Sequence, residues 1–101
     1  MALLPSDPLL GRQWYLHGNG LAQPAVHLNV LPAWADYAGR GVRIGVFDSL
    51  VEKTHADLAA GYDSGLEVEG LEYGFTGSAH GTEVAGVIAG RANGIGVVGV
   101  A

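Results

Sequence analysis

Cysteine is absent from this chain of 101 residues, which excludes disulfides and thiolate metal sites while leaving the redox compartment open. Positive charge is scarce: five lysines and arginines stand against ten aspartates and glutamates, a formal net charge of −5. That balance supplies neither a basic stripe for nucleic acid nor a polybasic patch for a membrane surface. It suits calcium binding and ordinary solubility equally. Long apolar runs are missing as well. No stretch approaches the roughly 18 residues that span a bilayer. Residues 1–5 carry no basic group of the kind that opens a secretory signal, and Leu3, Leu4, Leu9 and Leu10 are interrupted by Pro5, Asp7 and Pro8. No cleavable signal peptide is visible, so export would use another route or an upstream segment.

Apolar residues make up 49% of the chain, which favours a packed globular protein over a disordered one. Seventeen glycines point to many turns and close backbone approaches. The length suits one small domain.

Residues 6–16, with Pro8, Gly11 and the Trp14-Tyr15 pair, read as an extended arm with two rings tucked into the core. After a loop over 18–23, Asn29 and Pro32 open a short helix in which Leu31, Trp34, Ala35 and Ala38 recur at helical spacing and Gly39 is the stop. Residues 41–47, rich in β-branched side chains and closing on Asp48, read as a buried strand of a parallel sheet, whose carboxyl end is where such folds build sites. Residues 54–61 read as a turn or short helix, and 62–79 as a polar, glycine-rich, acidic loop. A helix is predicted from Gly81 to about Gly90, built on Val84, Ala85, Val87 and Ile88. Residues 93–101 alternate glycine with Ile95, Val97, Val98 and Val100, a tight loop entering another strand.

Two separated segments carry the chemistry. Val46-Phe47-Asp48-Ser49 places an aspartate at the exit of an apolar strand. His80-Gly81-Thr82-Glu83-Val84-Ala85-Gly86 places a histidine on a turn that leads into a helix, with Thr82 positioned to cap it. Asp48 can accept a hydrogen bond from one ring nitrogen of His80, fix its tautomer and stabilise the imidazolium. The other nitrogen is then free to take a proton from a serine hydroxyl. Spacing alone leaves a strand-end cap and a surface histidine as the competing reading. The third member of such a triad is absent: Ser6, Ser49, Ser64 and Ser78 are the only serines, and none lies in a Gly-Thr-Ser turn after His80.

Several motifs in order resemble the N-terminal part of the subtilase catalytic domain, and within it the kexin- and furin-like branch. They are Asp7-Pro8-Leu9-Leu10, Gln13-Trp14-Tyr15-Leu16, Leu28-Asn29-Val30, Ala33-Trp34, Gly41-Val42-Arg43-Ile44-Gly45-Val46, and Asp48. They continue with His55-Ala56-Asp57-Leu58, His80-Gly81-Thr82, Ala85-Gly86 and the run from Asn93 to Ala101. The resemblance implies an α/β fold with a parallel central sheet and helices on both faces, a three-layer arrangement incomplete in this chain. It makes Asp48 and His80 the triad aspartate and histidine, and puts the serine and the oxyanion-hole asparagine beyond Ala101. The expected activity is that of a serine endopeptidase once the domain is complete. Its partners would be a peptide or protein substrate and the missing C-terminal part of the catalytic domain, with no nucleic acid or membrane among them. The resemblance also implies a secreted or extracellular protein.

The sequence departs from the family pattern at three places. Leu50 stands where the aspartate motif usually has glycine, and a side chain there would crowd the turn that carries Asp48. Ser49, and Gly77-Ser78-Ala79 before His80, lack the acids with which kexin-like enzymes read paired basic residues, so a dibasic preference is not supported. Glu83 replaces the histidine common in subtilisins. A degenerate, non-catalytic subtilase-like module used for calcium-dependent structure or binding is the rival reading, and Leu50 is its best support.

The resemblance also implies a calcium site, since this ion takes six to eight oxygen ligands that mix carboxylates with carbonyls. Asp7 and Asp57 would supply carboxylates, Asn93 its side-chain oxygen, and Arg91, Ile95 and Val97 their carbonyls. Two other patterns are set aside. Gly94-Ile95-Gly96-Val97-Val98-Gly99 fits the dinucleotide-binding string but follows a helix where it should follow a strand. His80 and Glu83 could face one zinc, but that needs a third ligand, and nothing marks His55 or His17 for it.

Overall fold

The computed structural model describes residues 4–17, 27–68 and 78–101. Its regular structure is helical. The short helix α1 covers Trp14–His17 and the ten-residue helix α2 covers His80–Ala89, with single 3-10 turns at Leu10–Arg12, Ala33–Ala35, Ala59–Gly61 and Ser64–Leu66. The predicted loop over 18–23 falls outside the described residues, as does half of the loop expected over 62–79.

The arm is coiled, not extended. Pro8 starts a turn in which Leu10 N–H donates to Asp7 O at 3.1 Å, and the 3-10 turn and α1 follow at once. This shortening drops Leu10 and Leu16 side by side onto Val98, with Tyr15, Val30, Trp34 and Val100 packed around them. Only one of the two expected rings goes inside. Trp14 stays exposed and meets Tyr15 edge-on, with centroids 6.1 Å apart. Gln13 is the buried polar residue that makes the arm fit. Its Oε1 accepts from Val98 N–H at 3.0 Å and its Nε2 donates to Val98 O at 2.7 Å, so one side-chain amide does for the 98 backbone what a neighbouring strand would do. A buried amide left unpaired would cost about 1–3 kcal/mol.

No β-strand forms among the described residues. Residues 41–47 are the clearest difference from expectation. They are extended, but no backbone ladder links them to another described segment, and Val42, Ile44 and Phe47 face solvent, Phe47 at 96% exposure. A strand exists only through its neighbours, and the described residues bring none alongside. The helix expected from Asn29 to Gly39 shrinks to Ala33–Ala35 for a related reason. Asn29 adopts a left-handed φ of 53°, and Trp34 is held by Nε1 donating to Val100 O at 2.8 Å. Packing rewards Val30 and Trp34 alone, too little to propagate a helix. Residues 54–61 form turns and a 3-10 turn, as the sequence suggests.

Helix α2 matches its predicted span within a residue. Buried Gly81, Ala85 and Gly86 mark the side that packs inward. The last carbonyls of a helix have no partner within it, and here the chain's own continuation satisfies them. Val100 N–H donates to Val87 O at 3.0 Å and Ala101 N–H to Ile88 O at 3.0 Å, so the segment expected as a further strand instead folds back along the tail of α2.

Candidate functional site

Asp48 and His80, 32 residues apart, meet at the head of α2. His80 Nδ1 lies 2.8 Å from Asp48 Oδ1 and 2.9 Å from Oδ2. The pairing is set by two local structures. Asp48 sits on a bend where its own Oδ1 accepts from Ser49 N–H at 2.6 Å, which aims the carboxylate. His80 opens α2, so its ring projects from the helix end. The ring is 66% exposed while the Asp48 side chain is 20% exposed, which leaves the far edge of the imidazole accessible.

The charges follow from that contact. The hydrogen bond from His80 holds the Asp48 carboxyl below its ordinary pKa, with the Ser49 N–H acting the same way. The hydrogen bond to Asp48, then its negative charge, holds the His80 imidazole above its ordinary value against some desolvation, and Glu83 in the first turn of α2 adds to the same direction. Such an arrangement can fix a tautomer and accept a proton on the outer nitrogen.

The turn that carries Asp48 is docked on α2 by close backbone approach. Ser49 Oγ accepts from Gly81 N–H at 2.8 Å, and a Cβ on Gly81 would overlap the Ser49 carbonyl oxygen, so only glycine fits at 81. Thr82 does not cap its own helix. Its Oγ1 accepts from Glu52 N–H at 2.8 Å. The N-cap residue Ala79 has no side-chain oxygen to offer, and the first amides are met from outside: Ser78 Oγ accepts from His80 N–H at 3.2 Å and Ser49 Oγ from Gly81 N–H. Nothing beside Ser49 in the sequence signals that role, because its partner lies 32 residues away. Leu50 takes no left-handed backbone conformation, since Asn29 is the one non-glycine residue with positive φ among those described. Its side chain is 49% exposed, and the crowding expected from it does not separate Asp48 from His80. Gly77 lies outside the described residues.

A second cluster gathers Asp7, Asp57 and Asn93. Asp57 is 2% exposed and Asp7 4% exposed. Asp57 Oδ2 accepts from Val97 N–H at 3.0 Å and its Oδ1 from Asn93 Nδ2 at 3.2 Å. Asp7 Oδ1 accepts from Asn93 N–H at 3.1 Å, while its Oδ2 is buried with no partner. Asn93 Oδ1 accepts from Ile95 N–H at 3.0 Å. Arg91 is tied to the same loop by its N–H donating to Asp57 O at 2.9 Å, and its guanidinium reaches Ala60 O at 3.1 Å. Gly96, at a φ of +62°, packs so tightly on the Asp57 carboxylate that a Cβ would overlap Oδ2. Two buried carboxylates with one oxygen unpartnered fit a hard cation, because an unpaired buried carboxylate oxygen otherwise costs about 1–3 kcal/mol or more.

The zinc alternative finds no support in the geometry. Among the described residues no three His, Cys, Asp or Glu side chains gather at one point, and His55 Nδ1 is turned away to accept from Asp57 N–H at 3.1 Å. The outward side of α2, lined by His80, Glu83, Val84, Val87 and Ile88, forms an open and mostly apolar groove. No helix among the described residues is long and apolar enough to cross a membrane.

Comparison with known proteins places these features. Furin of Bos taurus is 39% identical over 108 aligned residues, which take in 96% of this chain and 13% of furin. Neuroendocrine convertase 2 of Rattus norvegicus is 45% identical over 62 residues, 58% of this chain and 10% of that protein. The chain thus spans about an eighth of the length of the furin it matches. No solved structure matches it. The model of the Subtilase family matches residues 39–101. That match takes in Asp48, His80 and the 91–97 loop, and with more than half of the sequence inside it the chain belongs to the subtilase family, of α/β class, in its kexin- and furin-like branch.

Proposed function

We propose that this chain is the aspartate- and histidine-bearing section of a calcium-binding serine endopeptidase. The observation that carries the reading is the Asp48 carboxylate set against His80 Nδ1 at 2.8 and 2.9 Å, with the rest of the ring open to solvent. Asp48 accepts from Nδ1–H and leaves Nε2 as the basic nitrogen. A serine from the remainder of the catalytic domain gives its hydroxyl proton to Nε2 as its oxygen attacks a peptide carbonyl. His80 returns that proton to the leaving amine as the C–N bond breaks, and water then releases the acyl group by the same route. Peptide or protein is the substrate, and the serine-bearing remainder is the first partner. Ser49 occupies the place of a substrate-reading acid, so no preference for paired basic residues is assigned. The natural product belongs to the exported or extracellular side.

In the complete domain residues 41–47 become a central strand of a three-layer parallel sheet. Their extended, exposed and unpaired state here supports that assignment. Calcium is held by Asp7, Asp57 and Asn93 with the carbonyls of Arg91, Ile95 and Val97, and when bound it supplies the positive charge that two buried carboxylates lack. The chain alone is inactive, because loss of a triad serine by itself costs about 10⁶-fold in kcat.

The test treats the longest natural polypeptide that contains this segment with a fluorophosphonate probe and locates the label by mass spectrometry. A labelled serine after residue 101, lost on His80→Ala, is the expected result. A folded, calcium-loaded polypeptide that takes no label would instead establish a non-catalytic binding module.

A further inference from the structure

The contact between Asp48 and His80 has no long side chain, sheet or disulfide behind it. It joins a bend to the first residue of a helix. What holds those two pieces of backbone together is a pair of hydrogen bonds running in opposite directions. Ser49 Oγ accepts from Gly81 N–H at 2.8 Å, one residue after each member of the pair. Thr82 Oγ1 accepts from Glu52 N–H at 2.8 Å, one residue further into the helix and four residues past Asp48. The bend thus lends an oxygen to the helix, and the helix lends one to the bend.

We propose that Ser49 and Thr82 are positioning residues that clamp the Asp48 bend to the head of α2 and so set the aim of the aspartate at the His80 ring. This rests on the reading of Asp48 and His80 as a working pair. Three observations carry it. Gly81 N–H is one of the first amides of α2, which find no partner inside the helix, so Ser49 fills a need the helix creates. Gly81 is buried against Ser49, where an unpartnered amide would be costly. Thr82 is only half-buried, yet its hydroxyl is turned back to the bend and not to solvent. Two bonds, at successive residues of the helix and three residues apart on the bend, resist rotation as well as separation, whereas one would act as a pivot. The clamp also explains how Leu50 is accommodated. Ser49 before it and Glu52 two residues after it are held by α2, while its own side chain is half exposed.

Neither hydroxyl has a hydrogen bond to the imidazole, and the Ser49 hydroxyl also acts on the Asp48 carboxylate itself, so the test must read the aim of the pair and Thr82→Val is its cleaner arm. The charged groups acting on the His80 ring are Asp48 and Glu83. The longest natural polypeptide, labelled with ¹⁵N at histidine, gives the His80 titration midpoint and tautomer by NMR, and the Trp34 indole N–H reports that the arm and tail remain packed. Ser49→Ala and Thr82→Val should each lower the midpoint, and the double variant should approach Asp48→Asn. Ser49→Thr, which keeps the hydroxyl, should restore it. A double variant that titrates like the wild type, with Asp48→Asn shifted, would overturn the clamp and leave the pair standing. If Asp48→Asn itself moves nothing, the pair fails and the clamp with it. Hydrogen exchange in the unmodified protein needs no variant: Gly81 and Glu52 amides that exchange freely while the body of α2 is protected would refute the clamp directly.

Discussion

Replacing Gly81 with alanine sets two effects against each other, and the structure decides which wins. Inside a helix alanine is favoured over glycine by about 1 kcal/mol, so propensity alone expects a more stable α2. The added Cβ, however, would overlap the Ser49 carbonyl oxygen and stand 2.9 Å from its carbonyl carbon and 3.1 Å from Oγ. Carbon contacts are comfortable at about 3.5–4.0 Å, so the bend and the helix must part by about 1 Å. The tail of α2 is fixed by Val100 and Ala101, which leaves the bend to give way. Moved by that amount, the 2.8 Å separation between Asp48 and Nδ1 opens to about 3.8 Å, outside hydrogen-bond range. The His80 midpoint should then fall, with Glu83 alone left to hold it up, and a displacement of that size in a complete active site costs about 10²-fold in rate. The assay is the His80 midpoint by ¹⁵N NMR in the longest natural polypeptide, with Gly11→Ala as the control because it lies outside the proposed sheet and a Cβ there meets nothing within 4 Å. A Gly81→Ala protein with intact helical circular dichroism and the wild-type midpoint would refute the reasoning.

The pH dependence of the pair has a fixed sign. The raised pKa of His80 makes its contribution full below about 6.5 and lost as pH climbs through the folded value, while the lowered pKa of Asp48 makes its contribution full above about 3.9 and lost as pH falls through the folded value. The difference in melting temperature between wild type and His80→Ala should therefore peak between those limits, and a flat difference from pH 4 to 8 would contradict the ion pair. Calcium at about 100 times its Kd should stabilise the natural polypeptide by about 2.7 kcal/mol. Asp7→Asn should abolish most of that gain, and a melting temperature indifferent to calcium would remove the ion from the 91–97 loop. Among the described residues the isolated chain exposes Val42, Ile44 and Phe47, side chains the proposed sheet would bury. Calorimetry and sedimentation should accordingly find self-association and no cooperative transition, and a monomer that melts cooperatively would contradict the surface argument.

What the sequence made legible was local or arrived as a motif. Helix α2 declared itself through Val84, Ala85, Val87 and Ile88, because a ten-residue amphipathic period needs no partner to be recognised. Asp48, His80, Asp7, Asp57 and Asn93 stand in recognisable motifs, and the structure brings the first two together and gathers the other three. The errors share one cause, that the deciding neighbour was distant. Residues 41–47 look like a buried strand, but burial belongs to strands that must lie alongside. Residues 29–39 have helical spacing, yet a tryptophan bonded to Val100 and a left-handed Asn29 stop the helix at one turn. Thr82 looks locally like a cap for its own helix because Glu52, its real partner, stands 30 residues earlier. Ser49 stands out only as a missing acid, since nothing near it in the chain hints at Gly81.

The fold-back at the tail of α2 joins the two clusters mechanically. The loop that holds Asp57 and Asn93 runs straight into Val98, gripped by Gln13, and then into Val100 and Ala101, which cap the helix whose first residue is His80. A ten-residue helix is a rod about 15 Å long, so a tilt of about 4° at its anchored end sweeps its head through about 1 Å. The arm and its two buried carboxylates are then the footing of a lever. Wear at that footing, from a weakened Asp57 or Gln13 contact, should be felt first as misalignment at His80, well before the core around Leu16 comes apart.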